Sequence, residues 1–134
     1  SWLYGEWGKN FVATILKLTR ERSLLKVVND QVGSPTYTKD LSQQIRRLVV
    51  SELYGVYHIT NWGRCSWYEF AQAIVKLAGV KGIKVISITS EELARPAPRP
   101  KFSVLENYCL KLSLGNKMRE WKEALKDYLE NKLL

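Results

Sequence analysis

No Gly-x-Gly-x-x-Gly or Gly-x-x-Gly-x-x-Gly turn occurs in the 134 residues. That excludes the usual glycine-rich seat for dinucleotide phosphates at a helix N-terminus. Cysteine is scarce: Cys65 and Cys109 have neither metal-ligand spacing nor the density of a secreted disulfide framework, so a reduced, cytoplasmic setting is expected. The single histidine, His58, has no Asp, Glu or Cys at a convincing ligand spacing, and it reads as a hydrogen-bonded structural residue rather than a metal ligand or general base. No apolar run is long enough to span a bilayer, and no basic-then-apolar leader is present, so no membrane association is expected. An initiator Met is lacking too, and the chain opens in an apolar word, Trp2-Leu3-Tyr4, which reads as a piece of something longer. Acidic residues are outnumbered, Lys and Arg exceeding Asp and Glu by eight. The excess suits an anionic partner such as a nucleotide-sugar, a nucleic acid or an acidic surface, although the positives are spread along the chain as on a solvated face.

What is present alternates between strand and helix patterns, which argues for an α/β or mixed α+β lobe. The length suits one domain, residues 1–134, with a core of its own. A helix follows Gly5 and Gly8 with Phe11, Ile15 and Leu18 on its apolar face. Leu24–Val28 reads as a buried strand, 56–60 as a second and 84–89 as a third. A helix after residue 40 carries Leu41, Ile45, Leu48 and Val49 inward and Gln43, Gln44, Arg46 and Arg47 outward. Ser66 and Glu69 have capping-box spacing and start a helix with Trp67, Phe70, Ala71, Ile74 and Leu77 on one face, stopped near Gly79 and Gly82. The proline-punctuated stretch 95–100 can be neither helix nor central strand and is expected to be an extended wall of the same domain. A last helix is predicted from about Asn116, with Met118, Trp121, Leu125, Tyr128 and Leu129 inward.

The stretch Asp30-Gln31-Val32-Gly33-Ser34-Pro35-Thr36-Tyr37-Thr38-Lys39-Asp40-Leu41 sits between a strand pattern and a helix pattern, a junction where α/β proteins place ligands. Gly33 can take a positive φ and admit a ligand to the backbone. Pro35 stiffens the turn, and Thr38 can cap the helix with Asp40 in its first turn. These features predict a rigid, polar, open-mouthed loop.

Six words, taken in order, carry a resemblance: residues 1–5 (SWLYG), 8–11 (GKNF), 30–36 (DQVGSPT), 55–61 (GVYHITN), 66–71 (SWYEFA) and 99–105 (RPKFSVL). Together they resemble the C-terminal half of the dTDP-4-dehydrorhamnose reductases, a family of extended short-chain dehydrogenases. The resemblance implies the substrate-binding part of a Rossmann-type enzyme that reduces the C4 ketone of dTDP-4-dehydro-6-deoxy-L-mannose to dTDP-L-rhamnose. It implies NADPH or NADH held by an N-terminal Rossmann domain absent from this chain, no cofactor and no catalytic residue on the chain itself, and a parent compatible with a homodimer. The one Tyr-x-x-x-Lys here, Tyr128 to Lys132, lies in an apolar stripe and is set aside as packing.

The resemblance also nominates binding residues, each with an alternative. Trp2 matches the tryptophan set against the sugar ring, where an indole face can stack, or it is a core residue. Asn10 binds ligand or caps the following helix. Gln31, Gly33, Pro35 and Thr36 match the loop beside the nucleotide, where amide and hydroxyl groups can read a thymine edge, or they serve the turn alone. Arg99 fits the diphosphate through paired guanidinium hydrogen bonds, with Arg95 as a neighbour that can share the role and Ser103 as a helper. Two rival readings stand beside this one: a non-catalytic regulatory homologue like the β subunit of methionine adenosyltransferase, and a basic nucleic-acid module. The second draws on Gly79-Val80-Lys81-Gly82, which matches a KH-domain loop without the aromatic and basic interleaving such binding needs.

Overall fold

A computed structural model describes residues 1–94 and 96–133. In chain order the elements are β1 (Trp2–Tyr4), α1 (Phe11–Glu21), β2 (Leu24–Val28), β3 (Val32–Gly33), β4 (Pro35–Tyr37) and α2 (Thr38–Val49). They continue with β5 (Cys65–Ser66), α3 (Trp67–Leu77), β6 (Lys84–Ile88), α4 (Ser90–Leu93), α5 (Tyr108–Ser113) and α6 (Trp121–Leu133). The mixed α/β character matches the sequence pattern.

The strands form three small pairs. β1 runs parallel to β4, with Trp2 beside Pro35 and Tyr4 beside Tyr37. β2 runs parallel to β6 from Leu24 beside Lys84 to Val28 beside Ile88. β3 is antiparallel to β5, with Val32 opposite Ser66 and Gly33 opposite Cys65. Helices α1, α3 and α6 cover these pairs, and the core is aromatic at its centre. Tyr4 stacks on Tyr37 with ring centroids 5.5 Å apart, Tyr128 meets both edge-on, and Phe70 packs against Tyr4 and Trp121. Each such ring contributes roughly 1.5–3 kcal/mol through burial. The hydroxyls of Tyr4 and Tyr37 are sealed in this core and have no hydrogen-bond partner among the described residues. Burial, reinforced by the nearby Asp40, pushes the Tyr4 pKa up.

Local signals set several boundaries as expected. Ser66 Oγ accepts the Glu69 N–H while Glu69 reaches back to the Ser66 N–H, so the capping box starts α3. Other expectations are corrected. Residues 56–60 form no strand, because no neighbouring strand among the described residues is available to pair with them. The last helix, expected from about Asn116, starts at Trp121, and a further short helix, α5, precedes it, with Gly115 at a φ of 71° between the two. The start of α2 has no side-chain cap; its N-cap position is Tyr37, and the Thr38 hydroxyl lies against Gly5 instead.

The largest correction concerns the faces of α2. Its buried residues are Asp40 and Gln44, while Ile45 and Val49 are exposed. Polar pairing explains the reversal. Arg119 grips Asp40 through Nε at 2.9 Å and Nη2 at 2.8 Å, and the Asn61 amide donates to the same carboxylate at 2.7 Å. Arg47 donates to Gln44 Oε1 at 3.1 Å and to the Leu114 carbonyl at 2.6 Å. These bonds turn the polar side inward. The apolar stripe of Leu41, Ile45, Leu48 and Val49 then lines an open groove of about 640 Å³ with Leu53, Tyr57 and Ile59.

Candidate functional site

Of the residues nominated from the sequence, Trp2, Gln31, Gly33 and Ser103 lie in or beside β3, whereas Asn10 sits at the start of α1. Val32 is held on one side by β5 and on the other by the segment that follows the prolines: its N–H donates to the Lys101 carbonyl at 2.8 Å, and its carbonyl accepts the Ser103 N–H at 2.8 Å. The Ser103 hydroxyl reaches the same carbonyl at 3.3 Å. Residues 101–103 thus return to the lobe beside β3, and Arg99, two residues earlier, is exposed at this edge. Arg95 lies outside the described residues.

Gly33 does not take a positive φ, which corrects the expectation for it. It is needed for another reason: a Cβ built there would meet Trp2 Cε2 at 2.4 Å, Cζ2 at 2.6 Å and Nε1 at 2.7 Å. Those three distances describe an approach to the flat face of the indole. Trp67 stacks on Trp2 with centroids 3.6 Å apart and planes 11° apart, too close to leave room on that face, so Gly33 covers the opposite one. Trp2 is therefore sandwiched within the lobe, and the edge of its ring is what it can offer a ligand. The glycine admits close approach, as its residue type suggested, but what approaches is the protein's own tryptophan.

Pro35 and Thr36 are corrected as well. Both are fully buried, because β4 pairs with β1 and closes the loop expected to be open. The Thr36 hydroxyl donates to the Ser34 carbonyl at 3.2 Å, and neither residue presents a polar group to a ligand. Asn10 is committed at both ends of its amide. Oδ1 accepts the Ala13 N–H at 2.9 Å as the cap of α1, and Nδ2 donates to the Gly5 carbonyl at 3.0 Å.

Gln31 is buried at this edge and donates from Nε2 to Ser90 Oγ at 2.8 Å. Ser90 is in turn held by Asp30, which accepts both its N–H and its hydroxyl. Those hydrogen bonds hold the Asp30 carboxyl below the usual carboxylate range. Asn29 accepts the Ser66 hydroxyl at 2.7 Å and ties the same loop to the start of α3. Reasoning from sequence missed Asp30, Ser90 and Asn29. One signal was available: Thr89 and Glu92 have capping-box spacing, and they start α4 directly above Asp30.

The Tyr128 and Lys132 pair is structural. Tyr128 is fully buried, and its hydroxyl receives Lys132 Nζ at 2.9 Å on the outer turn of α6. Among the described residues no group of three or more His, Cys, Asp and Glu could hold a metal ion, and no helix is long and apolar enough to cross a membrane.

The model of the RmlD substrate binding domain matches residues 1–133. The chain is 46% identical over 132 residues to the spore coat polysaccharide biosynthesis protein SpsK of Bacillus subtilis, covering 98% of this chain and 46% of that protein. A crystal structure of a dTDP-4-dehydrorhamnose reductase from Clostridium acetobutylicum superposes with a TM-score of 0.96 at 48% identity, over 100% of this chain and 47% of that one. The dTDP-4-dehydrorhamnose reductase of Bacillus anthracis, solved in complex with NADP, superposes with a TM-score of 0.94 at 42% identity, over 97% of this chain and 46% of that one. The chain spans about half the length of the relatives it matches.

Proposed function

The chain belongs to the RmlD substrate binding domain family, and from that premise we propose that residues 1–134 are one lobe, the sugar-nucleotide-binding part of a dTDP-4-dehydrorhamnose reductase. The parent enzyme reduces the C4 ketone of dTDP-4-dehydro-6-deoxy-L-mannose to dTDP-L-rhamnose. The observation that carries this reading is the match of the whole chain, in fold and in nearly half its residues, to a reductase of that name. The same match favours the reductase over a regulatory homologue or a nucleic-acid module.

NADPH supplies the hydride when bound. We assign it to the part of the parent outside this chain, because no glycine-rich turn occurs in these residues and their one Tyr-x-x-x-Lys pair has its tyrosine buried in the core. The lobe's own contribution is to bind and orient, holding the ketone where a hydride can reach it. Arg99 takes the diphosphate, Ser103 and Gln31 line the nucleotide side, and Trp2 offers its ring edge to the sugar. Gly33, Asn10, Pro35 and Thr36 shape this wall from behind. Two free cysteines, one buried and one exposed, suit a reducing compartment, and we assign the parent to the cytoplasm.

Titration of the chain with dTDP and dTDP-L-rhamnose, followed by amide shifts, tests the reading. Saturable binding is expected, weakened about tenfold in Arg99→Ala by loss of a charge-assisted contact. Binding to a DNA oligomer with a steep salt dependence and no response to dTDP would overturn it.

A further inference from the structure

Between α2 and the segment that leads into α6 lies a polar cavity of about 480 Å³. Its wall carries four cations, Lys39, Arg47, Lys117 and Arg119, against two carboxylates, Asp40 and Asp127. Both carboxylates are already engaged. Arg119 holds Asp40 through Nε and Nη2 and reaches Asp127 through Nη2, and Lys39 adds a longer contact to Asp127 at 3.4 Å. Arg47 is committed to Gln44 and to the Leu114 carbonyl. Lys117 is left over: it is exposed and forms no ion pair among the described residues. The cavity therefore carries positive charge that its own carboxylates do not neutralise.

Gln44 supplies a second, independent observation. It lines the same cavity and is only 3% exposed. Its orientation follows from its neighbour, because a guanidinium can only donate: Arg47 Nη1, 3.1 Å away, fixes Oε1 on its side. Nε2 is then the free end of the amide, and it is buried with no hydrogen-bond partner among the described residues. A buried donor that has given up water without gaining an acceptor is costly, and native chains rarely leave one so. The acceptor it lacks has to come from outside the chain, at a place where the uncompensated charge is positive.

We propose that this cavity binds an oxyanion of the phosphate class, either free phosphate or the phosphate group of a small monoester. Lys117 provides the unpaired charge, Lys39 has ammonium protons to spare beyond its one contact with Asp127, and Gln44 Nε2 donates from the buried wall. Donors carried on two separate elements call for several oxygens around one centre, which a phosphate offers and a carboxylate does not. None of these residues belongs to the β3 edge assigned above to the sugar nucleotide, so the two sites stand or fall separately.

The test is titration of the isotopically labelled chain with inorganic phosphate and with glycerol 3-phosphate, at a constant ionic strength of about 0.1 M so that general screening does not change. Backbone amide shifts and the Gln44 side-chain amide are followed in the wild type, Lys117→Ala, Gln44→Glu and Arg99→Ala. Saturable binding that moves the Gln44 amide protons is expected. Lys117→Ala should weaken it about tenfold, the loss of one charge-assisted contact. Gln44→Glu keeps an acceptor for Arg47 but replaces the donor with a charged oxygen, and should abolish binding. Arg99→Ala should leave it unchanged. Equal affinity for the two ligands would identify the free ion, and tighter binding of the monoester a carried phosphate; either supports the site. Shifts that rise linearly without saturation mean that the cavity holds only water, and they overturn the proposal. So does saturable binding that survives Lys117→Ala and is lost in Arg99→Ala. If Gln44→Glu does not fold, Lys117→Ala, whose side chain is exposed, decides alone.

Discussion

Asn107 binds Thr60 as a neighbouring strand would: Oδ1 accepts the Thr60 N–H at 2.9 Å and Nδ2 donates to the Thr60 carbonyl at 2.7 Å. Thr60 is buried, so this one side chain satisfies two backbone groups that water cannot reach. Asn107→Ala orphans both and is expected to cost about 2–3 kcal/mol, measured as a lower urea midpoint with an unchanged slope.

The close contact between Gly33 and Trp2 makes a second substitution informative. Gly33→Ala puts a methyl group inside the van der Waals surface of the indole, and Trp67 behind it prevents retreat. Overpacking of this kind costs roughly 1–3 kcal/mol. Thermal unfolding of Gly33→Ala should show a lowered midpoint, and pairing it with Trp67→Ala should recover part of the loss by opening space.

Arg119 joins α2 to α6 by gripping Asp40 and donating to Asp127 at 2.6 Å. Arg119→Ala is expected to cost about 2–3 kcal/mol, less than the roughly 3–5 kcal/mol of a fully buried pair because the Arg119 side chain is 34% exposed. The Arg119 hydrogen bond holds the Asp127 carboxyl below its ordinary value. That stability is fully present above the unfolded value near pH 3.9 and is lost as pH falls through the lower folded value. Acid unfolding of Arg119→Ala should therefore have a shallower limb in that window.

Thiol chemistry separates the two cysteines. Burial pushes the Cys65 thiol up, and Cys65 lies in β5 behind Gly33, whereas Cys109 is exposed on α5. Alkylation of the folded chain at neutral pH should label Cys109 alone, with Cys65 reacting only after unfolding.

Much of the architecture was legible because local signals agreed with tertiary packing. Leu24–Val28 is short, apolar and β-branched, and it is a strand with those bounds. The Ser66 and Glu69 capping box is visible in sequence and present in structure. Elsewhere a distant partner decided the outcome. Residues 56–60 have strand composition, but no strand among the described residues pairs with them. Helix α2 has a clear apolar stripe, yet Arg119, 79 residues away from Asp40, turns its polar side inward. At the candidate site, residue types predicted an open-mouthed loop, and the fold closes it. The pairing of β4 with β1 buries Pro35 and Thr36, while Asp30 and Ser90, separated by 60 residues, meet only in the folded lobe.

The outward-facing apolar stripe of α2 also governs how this molecule behaves in a crowd of its own kind. Val49 and Val50 are each more than three-quarters exposed, and Tyr54 and Val56 continue the same greasy strip. At low ionic strength the net charge of +8 keeps copies apart before such short-range surfaces meet. Salt near 0.1 M shortens the reach of that repulsion to about 10 Å. Solubility should then fall as salt is added, the opposite of ordinary salting-in, and light scattering against ionic strength would record it. Val49→Lys with Val56→Lys should flatten that curve while leaving the unfolding midpoint nearly unchanged.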